Sequence, residues 1–280
     1  MTADQARVQP QEQAQRAERF LALHRPGQPL LMPNPWDVGS ARLLASLGFE
    51  ALATTSSGFA ATLGRLDGSV TRDEALAHGA EIAAATDVPV SADLENGFVD
   101  TPEGVAATAT AAVAAGLSGF SIEDFGGNGE GSIYDLGLAA ERVAAAAEVA
   151  HRGPAHVVLT ARSENLIRGR DDLEDTIERL RAYQDAGADV LFAPGLKSTE
   201  QIQAVIAAVD RPVSVLVLPG VPTIAELAAL GVSRVSVGGA FAFAALGAVV
   251  DAAAELREQG TYDYWTAAAT GRNAVVAAFK

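Results

Sequence analysis

The feature that most constrains the fold of this chain is a regular alternation between short apolar segments and longer alanine-rich segments. Eight short segments have the character of strands; they are residues 30–32, 51–54, 88–93, 119–123, 157–162, 190–194, 213–218 and 234–238. Eight helix-like segments follow them in turn; they are residues 40–47, 72–85, 101–115, 139–150, 173–186, 199–208, 223–230 and 240–259. This alternation is typical of parallel βαβ units, and nearly continuous apolar strands are expected when both faces of a sheet are buried.

Eight strand–helix pairs predict an α/β fold, a closed (β/α)₈ TIM barrel. Such a barrel takes about 250 residues, and the chain has 280. A doubly wound open sheet is the alternative. Four glycines stand between a helical segment and the next strand, where a left-handed residue often ends a helix; they are Gly48, Gly116, Gly187 and Gly231. Because no Gly/Ser-rich linker divides the chain, we expect residues 1–280 to form a single domain.

The two ends of the chain differ in character from the middle. Residues 1–10 are polar, and we expect them to be disordered. Residues 261–280 combine aromatic side chains with an apolar helical segment at 266–279, which predicts a docking tail. The tail packs either on its own barrel or on a neighbouring subunit.

Charge and composition exclude several functional classes. The net charge of -15 argues against nucleic acid and against an anionic membrane surface as partners, since phosphate groups are bound by clustered Lys and Arg. The absence of cysteine excludes disulfides, thiolate nucleophiles and Cys-ligated zinc. With neither a signal peptide nor an apolar run of transmembrane length, the sequence predicts a cytoplasmic protein.

Carboxylates are concentrated at the ends of the predicted strands. Asp93 and Glu95 end the third strand, Glu123 ends the fourth, and Asp67 lies in the loop after the second. Because active sites of these barrels lie at the C-terminal ends of the strands, we expect the carboxylates to converge. An oxygen-rich cluster favours a hard cation such as Mg²⁺, with Mn²⁺ as the alternative ion. The competing interpretation is a solvated acidic rim.

Two further segments at strand ends are suited to binding an anionic substrate. Arg162 ends the fifth strand, where its planar guanidinium predicts a carboxylate anchor. Thr55, Ser56 and Ser57 follow the second strand, and their hydroxyl and N–H groups are suited to gripping a carboxylate. A tight turn is the alternative interpretation of that second segment.

A glycine-rich segment at 125–134 follows Glu123 and predicts a mobile lid centred on Gly126, Gly127, Asn128 and Gly129. It is neither a Walker A loop nor a dinucleotide-binding fingerprint, because the required residues and spacing are absent.

The four histidines of the chain lie in or beside helical segments, away from the strand ends; they are His24, His78, His151 and His156. We therefore expect them on helix surfaces.

Taken in chain order, the strand-end motifs resemble the isocitrate lyase/phosphoenolpyruvate mutase superfamily, from about residue 30 to about residue 260. The motifs are Asn34-Pro-Trp-Asp37, Thr54-Thr-Ser-Ser-Gly58 followed by Asp67, Ala92-Asp-Leu-Glu-Asn-Gly97, Ile122-Glu-Asp124 and Ala161-Arg162. The resemblance implies a barrel whose C-terminal helix is swapped between subunits of a homo-oligomer, either a dimer or a tetramer.

The resemblance also implies the site. It places Mg²⁺ near Asp93, with Glu95, Glu123 and Asp67 close by, partly through water. It implies that Arg162 and the backbone of residues 55–57 hold the carboxylate of a small-molecule substrate, and it adds Trp36 to the substrate contacts. Arg162, Glu123 and Asp67 are the expected catalytic residues. The shared chemistry breaks or forms a C–C or P–C bond beside an enolate stabilised by the metal.

Departures from the family pattern narrow the activity. The lid has neither the Cys of the lyases nor the Lys of the mutases, and residues 192–195 read Phe-Ala-Pro-Gly where the lyases place a Glu. These losses favour a small 2-oxo or 2-hydroxy diacid over a tricarboxylate. We therefore expect a Mg²⁺-dependent carbon–carbon lyase or decarboxylase, with decarboxylation of an oxaloacetate-like acid ranked before cleavage of a substituted malate. The alternatives are phosphonopyruvate hydrolase or phosphoenolpyruvate mutase-type P–C chemistry, and a catalytically silent barrel that binds a 2-oxo acid.

Overall fold

The computed structural model describes residues 8–126 and 132–279 of the chain. Eight parallel strands form a nearly closed barrel, in the order β1-β8-β7-β6-β5-β4-β3-β2. The strands are β1 Leu30–Met32, β2 Leu52–Ala53, β3 Val90–Asp93, β4 Gly119–Glu123, β5 Val158–Arg162, β6 Val190–Phe192, β7 Val213–Leu216 and β8 Arg234–Ser236. Where β1 and β2 meet, the Ala53 N–H donates to the Pro33 carbonyl at 3.2 Å. The (β/α)₈ prediction is therefore confirmed.

Helices surround the strands and account for every helical segment expected from the sequence. They are α1 Pro10–Ala22, α2 Val38–Ser46, α3 Ser56–Thr62, α4 Arg72–Ala85, α5 Pro102–Ala114, α6 Leu136–Ala150, α7 Leu173–Asp185, α8 Thr199–Ala208, α9 Ile224–Leu230, α10 Ala240–Glu258 and α11 Trp265–Ala278. Two of them, α1 and the short α3, were not predicted, because neither segment has the alanine-rich pattern that identified the others.

Local sequence signals set many of the helix boundaries. The side chains of Thr71 and Thr223 each accept a hydrogen bond from the N–H three residues later and complete a capping box with a Glu. The four glycines expected to end helices, Gly48, Gly116, Gly187 and Gly231, all have positive φ, between 81° and 104°. Their left-handed conformation is easily adopted only by glycine, which explains why these joints recur along the chain.

Helix α1 closes the N-terminal end of the barrel. Its Phe20 is fully buried and packs so closely on β4 that a Cβ at Gly119 would lie 2.7 Å from Phe20 Cε1 and 2.9 Å from the Val158 carbonyl oxygen. Residues 8–10, which we expected to be disordered, take part in this arrangement, since Pro10 begins α1 and Val8 packs beside Gly116. The remainder of that expectation, residues 1–7, lies outside the described residues.

The histidine prediction was wrong for two of the four residues. His24 and His78 are both buried. His78 stacks on Phe59 with ring centroids 3.8 Å apart, and His24 Nδ1 lies 2.8 Å from the Phe20 carbonyl oxygen. Burial lowers the pKa of His24 to about 3 and that of His78 to about 4, so both rings are neutral at pH 7. Aromatic neighbours on the inner helix faces cover these rings, and helix position alone could not reveal that.

The last two helices leave an apolar surface uncovered. Of the residues described for α10, Ala242 alone is buried. The exposed apolar side chains of α10 and α11 include Phe243, Leu246, Val249, Val250, Trp265 and Val276. Helix α11 runs beside α2, where the Phe279 ring approaches Gly39. Within the residues described, no helix combines the length and apolar character that a membrane span requires.

The contact between α1 and β4 leads to a stability prediction. We expect Gly119→Ala to lower the free energy of unfolding by about 1–3 kcal/mol, because the new methyl group meets backbone oxygen and an immobile ring. Gly137→Ala in α6 is the matched control: no atom lies within 4 Å of its added Cβ, so stability should stay equal or rise. Urea unfolding followed by circular dichroism measures both changes. Equal stability of the two variants would contradict the packing described.

Candidate active site

Acidic and basic side chains meet at the C-terminal mouth of the barrel, where β3, β4 and β5 end. Arg162 Nη1 lies 3.0 Å from Asp93 Oδ1, and its Nη2 lies 3.0 Å from Glu123 Oε2 and 2.8 Å from Glu164 Oε1. The strand register places Glu123 directly opposite Arg162. The structure therefore brings together the strand-end residues that the sequence predicted to converge.

Glu164 and Asp124, two further acids at this rim, are both buried. Asp124 Oδ1 accepts the Glu164 N–H at 2.8 Å, while Oδ2 accepts the Tyr183 hydroxyl at 2.5 Å and Arg179 Nη1 at 3.2 Å. Burial raises the pKa of Asp124 even though these hydrogen bonds oppose the shift. Asp124 thus fixes the backbone that carries Glu164, which in turn binds Arg162.

Arg168 is a residue of this cluster that sequence reasoning missed. Its Nε donates to Glu164 Oε2 at 3.2 Å, its Nη2 lies 3.5 Å from Glu123 Oε1, and its guanidinium lies 3.8 Å from the centre of the Phe125 ring. Arg168 lies in the loop after β5, six residues beyond the strand end at Arg162, so the strand-end pattern did not include it. Its position four residues after Glu164 is the sequence feature that could have indicated an ion pair.

Glu95 has a strained backbone conformation at the centre of the site. Its φ of 47° is uncommon for a residue other than glycine. Its N–H donates to Asp93 Oδ1 at 3.2 Å, and its carbonyl accepts the Glu123 N–H at 2.9 Å. Burial, then the charges of Asp93 and Asp67, raise the pKa of Glu95 to about 7. Burial likewise raises the pKa of Glu123 well above its usual range, although Arg162 opposes the shift.

Two adjoining cavities open among these side chains, with volumes of about 200 Å³ and about 250 Å³. Ser56, Asp67 and Arg162 line both. The first cavity also contacts Thr55, Ser57 and Asp93 and continues into the barrel, whereas the second contacts Glu95, Glu123 and Arg168. The expected substrate and metal residues therefore border one continuous region.

The segment at 55–57 begins a helix rather than forming a simple tight turn. Thr55 caps α3 by accepting the Gly58 N–H at 3.3 Å, and the first N–H groups of a helix have no intrahelical partner. Trp36 is partly buried beside Gly58: a Cβ added to Gly58 would lie 3.3 Å from Trp36 Cβ. Among the described residues Trp36 contributes to neither cavity wall, so its geometry supports α3 rather than a substrate contact.

Asn34 connects three strand ends beneath the first cavity. Its Nδ2 donates to the Thr54 carbonyl at 3.0 Å, and its Oδ1 accepts the N–H groups of Val237 and Gly238 at 3.0 and 2.9 Å. Thr54 Oγ1 then accepts the Asp93 N–H at 2.9 Å. This chain of hydrogen bonds holds Asp93 in position relative to β1, β2 and β8.

The predicted lid falls partly outside the described residues. Gly126 belongs to a short antiparallel hairpin, in which Phe125–Gly126 pairs with Ser132–Ile133 directly after β4. Gly127, Asn128 and Gly129 lie outside the described residues, and the lid therefore stays a prediction.

The donor set at the mouth fits a hard divalent cation. All of the acidic side chains there offer oxygen, and burial, followed by the charges of Asp93 and Asp67, raises the pKa of Glu95 although two arginines oppose the shift. Arg162 lies between Asp93 and Glu123, which leaves room for one or two direct carboxylate ligands rather than a closed cage. Within the described residues, a compact set of three potential metal ligands occurs instead at the opposite end of the barrel, where His151 and His156 flank Asp189.

The crowding of carboxyl groups leads to a pH prediction for the protein in EDTA. Glu95 titrates near pH 7 in the folded chain, against an ordinary value of 4.5. Below the ordinary pKa, Glu95 is protonated in both the folded and the unfolded chain. Between the two pKa values, Glu95 has lost its proton in the unfolded chain but keeps it in the folded chain. The stability of wild type relative to Glu95→Gln should therefore fall by about 2 kcal/mol as the pH rises from 4.5 to 7.

Chemical denaturation across this pH range, with the exposed Glu81→Gln as control, measures the effect. If the free energy of unfolding varies with pH in the same way for wild type and Glu95→Gln, the pKa of Glu95 is not raised in the folded chain.

Comparison with known proteins agrees with this geometry. The family model described as phosphoenolpyruvate phosphomutase matches residues 20–257. The chain is 31% identical to the oxaloacetate decarboxylase of Chromohalobacter salexigens over 253 residues, which are 85% of this chain and 84% of that protein.

Solved structures extend the likeness to the whole barrel. A Burkholderia cenocepacia protein provisionally assigned as a lyase/mutase superposes with a TM-score of 0.90 at 53% identity, covering 94% of this chain and 96% of that one. For 2,3-dimethylmalate lyase the TM-score is 0.79 at 30% identity, with 88% and 89% covered. The chain belongs to the phosphoenolpyruvate phosphomutase family, within the PEP mutase/isocitrate lyase superfamily.

Proposed function

We propose that this chain is a Mg²⁺-dependent carbon–carbon lyase or decarboxylase that acts on a small 2-oxo or 2-hydroxy diacid. The observation that carries the proposal is Arg162, whose guanidinium lies among acidic side chains and borders both cavities. A guanidinium donates two parallel hydrogen bonds to a carboxylate and therefore suits such a substrate. The relatives named as an oxaloacetate decarboxylase and a 2,3-dimethylmalate lyase support carbon–carbon bond chemistry.

In this proposal Asp93 is the principal ligand of Mg²⁺, and Glu95 and Glu123 bind it directly or through water. Mn²⁺ is the alternative ion. Bound there, the ion supplies a Lewis acid for oxygens on which negative charge develops. The support is the oxygen-only donor set and the carboxylates of Asp93 and Asp67, whose charges add to burial in raising the pKa of Glu95.

Arg162 binds the substrate carboxylate from one side of the cavity, and the first turn of α3 at Thr55, Ser56 and Ser57 binds it from the other. In the structure the guanidinium is engaged by Asp93 and its acidic neighbours. Substrate therefore replaces one carboxylate partner with another, which limits the free energy lost in freeing Arg162.

Glu123 and Asp67 are the carboxyl groups proposed to move a proton. Asp67 lines both cavities and Glu123 lines the second, and burial raises the pKa of Glu123 well above its usual range, which is the direction a proton donor requires. When a carbon–carbon bond of the substrate breaks, its electron pair forms an enolate, and a carboxylic acid beside that carbon returns the proton. Closure of the lid at Gly126 and residues 127–129 would exclude water from this step.

The wall beyond Arg162 favours a small substrate. Phe192, Pro194 and Leu216 line the first cavity where family lyases have polar residues for a tricarboxylate. P–C bond chemistry is the alternative function, supported by the name of the matching family model. The lid sequence, which has no Lys, favours the carbon–carbon reaction over it.

The decisive experiment follows substrate by NMR. Purified protein with Mg²⁺ is given oxaloacetate, 2,3-dimethylmalate, methylisocitrate and phosphonopyruvate in separate reactions, each with and without EDTA. We expect pyruvate from at least one of the first two acids, faster than with Mg²⁺ alone and abolished by EDTA. Turnover of phosphonopyruvate alone would replace the proposal with P–C chemistry. Binding without turnover of any acid would indicate the silent barrel.

Asp93→Ala tests the metal site. The variant should keep its fold, because Asp93 ends β3 at a partly exposed position, yet lose Mg²⁺ binding by calorimetry and more than about 100-fold in turnover. Asp73→Ala, on the exposed face of α4, is the matched control and should behave as wild type. Unchanged activity of Asp93→Ala would contradict the proposed metal ligand.

A homo-oligomer completes the proposal. The uncovered apolar side chains of α10 include Val249 and Val250, which are 64% and 66% exposed in the single chain. A contiguous apolar surface of this kind is normally covered by a partner, and a second copy of the chain is the proposed one. This would place α10 on the neighbouring subunit, consistent with the expected helix swap.

Val250→Glu tests the oligomer. We expect wild type to sediment as a dimer or tetramer and Val250→Glu to shift toward the monomer, because a charge on the covered surface would lose its hydration. Thr110→Glu, at an exposed position of α5, is the control. A monomeric wild type in analytical ultracentrifugation would contradict the proposal.

A further inference from the structure

A second arginine lies deep inside the barrel, below the mouth. Arg234 begins β8 and is only 3% exposed. Its Nε donates to Ser214 Oγ at 2.9 Å, and its Nη1 donates to Thr160 Oγ1 at 3.0 Å. Its Nη1 also lies 3.5 Å from His24 Nε2. None of the three partners is charged. Ser214 and Thr160 carry hydroxyl groups, and burial keeps the His24 ring neutral with a pKa of about 3.

Arg234 differs in this respect from Arg162 and from the other buried arginines of the described residues. Arg16, Arg162 and Arg179 form ion pairs with carboxylates, and Arg142 donates to three main-chain carbonyl groups. Among residues 8–126 and 132–279, no acid lies within 4.0 Å of Arg234, and its Nη2 has no hydrogen-bond partner. Burial and the nearby charge of Arg162 lower the pKa of Arg234 to about 9, so the group remains a cation at pH 7.

A buried cation without an anion is costly, so its position relative to the cavity matters. Arg234 and Arg162 both line the cavity of about 200 Å³. Thr160, which binds Arg234, precedes Arg162 by two residues on β5 and shares its face of the strand. Two residues of a strand span roughly 6.6 Å. Arg234, bound to Thr160, therefore lies deeper in the barrel than the strand end that carries Arg162, and the charge of Arg162 is near enough to lower the pKa of Arg234.

Polar as well as apolar side chains line the cavity that the two guanidinium groups share. Ser91, Ser121 and Ser236 offer hydroxyl groups that can donate to an anion. On the side away from the cavity, His24 Nδ1 donates to the Phe20 carbonyl, which leaves Nε2 as an acceptor facing Arg234. Nη2 is thus the donor left for a ligand that enters from the mouth.

We propose that Arg234 is a second anion-binding subsite, which holds the distal carboxylate of the substrate while Arg162 holds the first, so that the site selects dicarboxylates. The proposal rests on the proposed function, since it takes the same cavity as the substrate site. It adds a residue at the barrel floor that orients the substrate along the axis. Arg234 compensates the negative charge of the distal carboxylate, which the apolar side chains of Phe192 and Leu216 in the same cavity cannot do.

The subsite also bears on which bond breaks. A carboxylate that leaves as CO₂ gives up its negative charge, so an ion pair with Arg234 would stabilise the reactant more than the transition state. Cleavage of the C2–C3 bond of a 2-hydroxy diacid keeps both carboxylates. The hydroxyl loses its proton and becomes the carbonyl, the bonding pair moves to C3, and C3 then takes up a proton. Arg234, beside the carboxylate attached to C3, stabilises the charge that develops there and favours this cleavage.

The test compares two acids with the same four-carbon skeleton, malate and 2-hydroxybutyrate, which differ by one carboxylate, under conditions in which NMR shows no cleavage of malate. Calorimetry with Mg²⁺ measures both affinities for wild type, Arg234→Met and the exposed control Arg181→Met. We expect wild type and Arg181→Met to prefer malate by about tenfold or more, the usual effect of a charge-assisted hydrogen bond. In Arg234→Met that preference should fall to about twofold, with the affinity for 2-hydroxybutyrate almost unchanged.

Each outcome has a distinct meaning. If wild type binds both acids with equal affinity, the proposed subsite is wrong. This measurement needs no variant, so the proposal can be tested even if Arg234→Met does not fold. An Arg234→Met protein that melts cooperatively and keeps the malate preference also overturns it. A wild type that binds neither acid in the presence of Mg²⁺ overturns the proposed function as well.

Discussion

The ion pairs of Arg162 hold together the part of the barrel in which the candidate site lies. One guanidinium joins Asp93 from β3, Glu123 from β4 and Glu164 from the loop after β5. Each partner stabilises the charge of the others, because removing one leaves an opposite charge less compensated. The arrangement of the mouth depends on these contacts, and Arg168 joins them through the side chains of Glu123 and Glu164.

The network remains more acidic than basic, and this excess connects structure to function. Burial and neighbouring carboxylates raise the pKa of Glu95 to about 7, and its backbone is held in a left-handed conformation. Strain and crowded charge of this kind are typical of functional sites, because a ligand that neutralises the charge recovers the free energy they cost. A cation at the mouth would reduce the repulsion among these carboxylates.

The barrel interior carries the opposite charge to its acidic rim. Arg234 stands at the floor with uncharged partners, while α1 seals the end beneath it through Phe20 and His24. A diacid placed between Arg162 and Arg234 would therefore lie along the axis, with its reacting carbons between the two guanidinium groups.

The sequence by itself determined the strand–helix alternation, the glycines that end helices and the acids that end β3 and β4, since each is encoded by residues close in the chain. It also indicated Asp93, Glu123 and Arg162 as one site, because parallel strands deliver their C-terminal ends to the same edge. Only the tertiary structure decided that Arg168 joins them, that His24 is buried, and that Arg234 meets Thr160 across the barrel. Those relationships depend on which residues face one another when the sheet curls, and no local pattern carries that information.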